Sequence, residues 1–327
     1  MKTDWVAEIF CAMRDCGENI SIVYGSKPMA SEQAEPAWFE LPHNQYDGMS
    51  GLADLLVRQG CRVEQLPVLR GDRFTFLRAL RGLRAALPTL QIRRRQWKQF
   101  DGTCNAEFTP ARERVAWNLF TEGETRRIVL EAHRAGVTVN TYLLFHLDAV
   151  ICARLTLPEA NSLWMVPVNL RGAVRRAREA APHMAFFGVD LDSNVTLTGL
   201  QRQISGLKER AFHWGAWIAL HAGVLLRAEG LRRDIRRREQ KNHGWTGIFS
   251  NLGVWDVPGA GHWIFGPAIS RVHPVGAGCI TMNGRMALTL QLHAAFGAGL
   301  KTTHVLLQDW KHSCLQHSTS NQEVAYG

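Results

Sequence analysis

Residues Leu41–Leu52, LPHNQYDGMSGL, constrain this chain more than any other stretch. They set His43 four residues before Asp47, with Gly48 following at once, between a strand candidate and a helix candidate. The strand is Trp38–Leu41, cut off by Pro42. The helix is Met49–Leu56, with Leu52, Leu55 and Leu56 on its buried side. With 13 His, 12 Asp and 29 Gly in 327 residues, chance alone would give His-x-x-x-Asp-Gly about 0.04 times. A neutral imidazole at a strand end can take a proton from a hydroxyl or amine attacking an acyl carbon. The carboxylate four residues on need not touch substrate; paired with an arginine, it holds the loop so that the imidazole keeps one orientation. The glycine leaves room for an acyl chain or thioester. A plain turn, with His43 capping a helix and Asp47 solvated, fits the same spacing. A His/Asp metal site lacks a third ligand at a recognisable spacing, so no metal is expected.

The rest of the chain narrows the class. Its length permits one large domain or two lobes with a substantial core. A composition of 46% hydrophobic and 20% charged residues excludes a disordered chain. The longest apolar run, around Ala216–Leu226, contains His221 and Gly223 and falls far short of a membrane span. Asp4, Glu8, Asp15 and Glu18 interrupt the first twenty residues, so no secretory signal is read there. Seven scattered Cys without a C-x-x-C fit neither a disulfide framework nor a zinc cluster, and the expected compartment is the cytoplasm. Nucleotide-cradling G-x-x-x-x-G-K-[ST] and G-x-G-x-x-G loops are absent, as is G-x-S-x-G. The net charge of +9 asks for an acidic partner: nucleic acid, an anionic membrane surface, coenzyme A phosphates or an acidic carrier protein. The basic runs Arg93–Lys98 and Arg232–Lys241 read as solvated helix faces, and Trp97 alone does not supply the interleaved aromatics of a nucleic-acid binder.

Periodicity predicts alternating helices and strands, hence an α/β protein. Trp5, Ile9 and Met13 mark a first helix and Ile20–Tyr24 a strand. Residues 70–98 are rich in arginine, and Phe74, Leu77, Leu80 and Leu83 recur at helical spacing with the arginines mostly on the other face. Phe100–Thr109 reads as a connection between lobes. Beyond it come a strand at Arg114–Leu119 and helices at Glu122–Arg134 and from Val137–Asn140 to Leu155. Further strands are expected at Leu163–Leu170, Phe186–Leu191, Trp245–Asn251, Ala268–Val275 and Met286–His293. Leu200, Ile204, Leu207, Ala211 and Trp214 predict one face of a long helix, and Thr302–His312 a last one.

The segment His43–Gly48 resembles the HHxxxDG signature of the coenzyme A-dependent acyltransferase superfamily. That group includes chloramphenicol acetyltransferase, condensation domains of nonribosomal peptide synthetases and wax ester synthases. Gly48–Leu56 resembles the helix after the motif, and Gly136–Leu144 (GVTVNTYLL) a later helix start. Val166–Gly172 (VPVNLRG) resembles the strand carrying the family's arginine, and Phe249–Gly253 (FSNLG) its late Ser-Asn strand. The resemblance spans roughly residues 36–316. It implies a two-lobed chloramphenicol acetyltransferase-like α/β fold, with residues 1–105 as a reduced N-terminal lobe and 106–327 as the C-terminal lobe.

It also implies an acyltransferase that moves an acyl group from a coenzyme A or carrier-protein thioester to a hydroxyl or amine. His43 would be the general base, Asp47 the orienting carboxylate, Gly48 the adjoining glycine, and Arg171 the salt-bridge partner of Asp47. Ser250 and Asn251 would lie near the tunnel between lobes as oxyanion candidates, and Asn140 would be structural. From the residues alone, Arg171 fits a solvated turn as well, and Asn251 before Leu-Gly fits a turn. No permanently bound cofactor is implied; the coenzyme A or phosphopantetheine thioester is a co-substrate. The implied partners are acyl-CoA or an acyl carrier protein and a small-molecule acceptor, with no nucleic acid and no membrane span. Two departures stand out. Pro42 replaces the first histidine of the signature, and only 42 residues precede His43, whereas the family builds most of a lobe before it. The first lobe is therefore reduced, or completed by a second subunit in a homo-oligomer, or left open. The last case describes a catalytically degenerate protein that binds an acyl carrier protein or acyl metabolite without turnover.

Overall fold

The computed structural model describes residues 5–29, 34–63, 66–69, 72–90, 97–101, 109–157, 161–174, 180–222, 227–240 and 244–316. The lobe boundary expected between residues 105 and 106 lies outside them. Among the described residues, two β-sheets flanked by ten helices make a mixed α/β architecture. The smaller sheet has three antiparallel strands in the order β2 (Ala37–Pro42), β1 (Ser21–Lys27), β7 (His262–Gly266). The larger has six strands: β3 (Val115–Leu119), β9 (Arg285–Leu292), β8 (Val275–Met282), β6 (Gly247–Trp255), β4 (Ser162–Asn169) and β5 (Met184–Leu191). Its central pairs β4–β6 and β6–β8 are parallel, and the outer ones antiparallel.

After β6 the chain leaves the large sheet, pairs with β1 as β7, and returns as β8. This excursion joins the two sheets and makes the wall on which the site stands. The strand expected at Ala268–Val275 forms later, at Val275–Met282, and residues 268–274 are a loop bridged at Ser270 and His273. Gly276 and Gly278 weaken the strand pattern, yet the packing demands them. A side chain at 276 would strike Ile269, and one at 278 would strike the Phe265 carbonyl and Thr289.

The main core lies between the large sheet and the helices α5 (Glu122–Arg134), α6 (Val139–Leu155) and α10 (Leu300–Gln316), around Trp164, Phe249 and Trp310. Both α5 and α6 start on threonine caps. Thr121 forms a reciprocal capping box with Glu124, and Thr138 accepts from the Thr141 N–H. A second core under the small sheet packs α2 (Gly48–Arg58), through Leu52, Leu55 and Leu56, against Ile22, Tyr24 and Phe265. No single described helix is long and apolar enough to cross a membrane.

Two helical expectations are corrected. The run Leu200–Trp214 is two helices, α7 (Leu197–Glu209) and α8 (Phe212–Ala222), broken at Ala211, whose φ of 56° is left-handed. The break sends α8 across α3 (Phe76–Leu90). Their crossing is so close that a Cβ on Gly82 would meet the Ala211 carbonyl, and one on Gly215 would meet the backbone of Gly82 and Leu83. Only small residues fit there, so α3 buries Ala79, Gly82 and Ala86, while Leu77 and Leu80 face outward. Leucine periodicity points to the wrong side of this helix because the contact is made by backbone. Gly82→Ala is expected to cost about 2–3 kcal/mol, because backbone has to move to admit the methyl; the midpoint of urea unfolding measures it.

Candidate functional site

Strand β2 ends at Pro42, which pairs with Ser21 at the sheet edge where its missing N–H costs nothing. The chain then turns through His43–Tyr46 and enters α2 at Asp47. Within this turn the His43 Nδ1 lies 2.9 Å from the Tyr46 carbonyl. A carbonyl can only accept, so Nδ1 carries the hydrogen and Nε2 keeps its lone pair. Nε2 has no hydrogen-bond partner among the described residues, and the ring lines a cavity of about 200 Å³. Phe10 of α1 (Trp5–Asp15) stacks on the imidazole at 4.0 Å between centroids, with 20° between planes. Burial lowers the pKa of His43 from its ordinary 6.5, and the Tyr46 carbonyl and the Asp47 charge oppose that shift in part. The imidazole is therefore neutral at pH 7.

Asp47 uses both carboxylate oxygens structurally. Oδ1 caps α2 by accepting from the Met49 and Ser50 N–H groups at 3.1 and 2.9 Å. Oδ2 accepts from Arg171 Nη2 at 2.7 Å and from the His183 N–H at 3.2 Å. Ser50 Oγ reaches the Ala180 carbonyl at 2.9 Å. The carboxylate thus pins the His43 turn to the two ends of the β4–β5 connection, residues 170–174 and 180–183. Both members of the ion pair are buried. Gly48 opens α2 against the cavity wall, where a Cβ would come within 2.7 Å of Leu252 and 3.1 Å of Phe265.

Ser250 and Asn251 lie on β6 and line the same cavity. Here β6 and β8 slip register between Asn251 and Val254, and Gly253 takes a φ of 81°. Asn251 holds this bulge together. Its Oδ1 accepts from the Gly253 N–H at 2.8 Å, and its Nδ2 donates to Asn140 Oδ1 at 2.6 Å. The Ser250 hydroxyl makes no hydrogen bond among the described residues. His43, Asp47, Gly48, Arg171, Ser250 and Asn251 therefore share one cavity.

Two contributors escape sequence reasoning. His183 lines the cavity and bonds Asp47 through its backbone, a contact between residues 136 apart that no local spacing announces. Helix α1 covers the cavity with Val6, Ile9, Phe10 and Met13; their i, i+3, i+4, i+7 spacing reveals an apolar face but not what that face covers. The remaining wall is largely apolar, including Met165, Val168, Met184, Phe186 and Leu220. Among the described residues no three His, Cys, Asp or Glu side chains converge as a metal site would require.

No family model matches the sequence, and no curated protein matches it. Solved structures do match in fold. The trichothecene 15-O-acetyltransferase of Fusarium sporotrichioides aligns over 90% of this chain and 70% of its own, at 12% identity and a TM-score of 0.52. The wax ester synthase/diacylglycerol acyltransferase of Marinobacter aquaeolei VT8 aligns over 86% of this chain and 68% of its own, at 14% identity and a TM-score of 0.51. A condensation domain of the enacyloxin polyketide synthase aligns over 86% and 58%, at 12% identity and a TM-score of 0.53. The chain shares the fold of these two acyltransferases and this condensation domain.

Proposed function

We propose that this protein is an acyltransferase that moves an acyl group from a coenzyme A or carrier-protein thioester to a hydroxyl or amine on a small acceptor. The observation that carries this reading is the state of His43: Nδ1–H held by the Tyr46 carbonyl, and Nε2 unprotonated, with no hydrogen-bond partner among the described residues, at the wall of a largely apolar cavity. Nε2 would accept the acceptor's proton as its oxygen or nitrogen attacks the thioester carbon. The Ser250 hydroxyl would donate to the oxyanion that forms. On collapse the C–S bond breaks, and the imidazolium returns the proton to the leaving thiolate. The Asp47 carboxylate, whose charge raises the His43 pKa, favours the transient imidazolium without touching substrate. The apolar wall suits the acyl chain.

Thiol release from a series of acyl-CoA thioesters, across hydroxyl and amine acceptors, tests the reading. Acceptor-dependent release is expected, and its absence with every donor and acceptor, alongside retained binding of an acyl carrier protein, would establish the non-catalytic alternative. Ser250→Ala is expected to lower kcat roughly 10²-fold with KM little changed, since the bond forms in the transition state. An unchanged kcat would assign the oxyanion to another donor.

The pH profile follows from His43. Its active form is neutral and its pKa lies below 6.5, so activity persists as pH falls through 6.5 and drops only below that value. The same shift makes a stability statement. Full stability from this group is present above the unfolded pKa of about 6.5 and is lost as pH falls from there toward the lower folded value.

A further inference from the structure

The net positive charge is concentrated in one stretch of the sequence. Between residues 70 and 98 there are eight arginines and Lys98 against a single acidic side chain, Asp72. That stretch carries a net charge of +8 in a chain whose total is +9. Its helix, α3, buries Ala79, Gly82 and Ala86 against α8. At about 100° per residue, Phe76, Leu80 and Leu87 fall on one outward stripe roughly a quarter to a third of a turn from that buried face, with Leu77 beside them. All four are exposed, Phe76 to 67% and Leu77 to 79%. Arg81 and Arg84 stand exposed on the adjoining side, with no acidic partner among the described residues. Asp72 does not neutralise them, because it is engaged by Arg78, the Trp214 indole N–H and His213.

A merely solvated basic face would not need phenylalanine and leucine projecting into water. A second copy of the chain would set arginine against arginine. The apolar side chains project from a convex helix, with arginines beside them, which suits a deformable partner better than a protein of fixed shape. We infer that α3 docks the protein on an anionic phospholipid surface. The helix is about 22 Å long and packs against α8, so it would rest in the interface rather than span it. Phe76, Leu77, Leu80 and Leu87 enter the boundary between headgroups and acyl chains. Arg81 and Arg84 meet the lipid phosphates.

Co-sedimentation of the full chain with vesicles tests this directly. With vesicles of equal parts phosphatidylcholine and phosphatidylglycerol, in about 0.1 M salt, the protein is expected in the pellet; with phosphatidylcholine alone it stays largely in solution. Phe76→Ser/Leu77→Ser is expected to weaken binding about tenfold or more, as is R81E/R84E. These positions are exposed, so unfolding midpoints of both variants should match the wild type and separate lost binding from lost fold. Wild-type protein that ignores anionic vesicles overturns the inference, as does undiminished binding by Phe76→Ser/Leu77→Ser. Capture by an acidic carrier protein without vesicle binding overturns it too, and gives this face a protein partner instead.

Discussion

His43→Ala is expected to lower kcat for acyl transfer by about 10²–10⁴-fold, the range that a positioned general base contributes. Nε2 is the ring nitrogen left to the cavity, and the bond from Nδ1 to Tyr46 fixes both its tautomer and its direction. Alanine removes the proton acceptor and the Phe10 stack while leaving the Asp47 cap of α2 in place. Folding should therefore survive, and the loss should fall on kcat rather than on donor KM. Residual activity should also lose the acid limb of the pH profile, because the group that titrates is gone. A variant with wild-type kcat, or one that keeps that limb, would move the base elsewhere.

Asp47→Ala is expected to destabilise the fold by about 3–5 kcal/mol, measured by denaturant unfolding. The change takes the 2.7 Å carboxylate away from the Arg171 guanidinium, which is only 5% exposed. It also removes the cap of α2, about 1 kcal/mol by itself, and the acceptor for the His183 N–H. Asp47→Asn keeps an oxygen for the cap and loses the charge, so it should fall between wild type and alanine. Adding Arg171→Met to Asp47→Asn should recover part of the loss, because the buried charge that Asp47 balanced then disappears. A loss below about 1 kcal/mol in Asp47→Ala would mean that water reaches Arg171 and the pair contributes little. In either case His43 loses the anchor of its turn, so kcat should fall with stability.

What could be read in advance follows the range of the interaction. The strand, turn and helix around His43 are encoded locally: Pro42 ends β2, and Asp47 supplies a cap two and three residues ahead of the amides it accepts from. Helices α5 and α6 likewise carry their start signals within four residues. The α3 face, β7 and β8 are different. Gly82 against Gly215, and Gly276 and Gly278 against Ile269 and Phe265, are backbone approaches that leave no apolar periodicity to read. Pairing of β7 with β1, and of His183 with Asp47, joins segments far apart in the chain, and neither partner bears a mark of the other. Sequence named the groups that could do chemistry. The two-sided walls that give those groups a cavity come from tertiary packing.

The excursion of β7 also sets an order of events during synthesis. Strand β1 has β2 close behind it, yet its other edge waits for Phe265 and its neighbours, about 240 residues later. At roughly 5–20 residues per second on the ribosome, that wait lasts some 12–50 s. For that time the nascent N-terminal segment presents an unpaired edge of Val23, Tyr24 and Gly25, with no sheet to close it. A fragment ending before residue 262 would keep that edge for good. Such a fragment is therefore expected to aggregate more readily than the full chain, through the strand edge that β7 would otherwise cover.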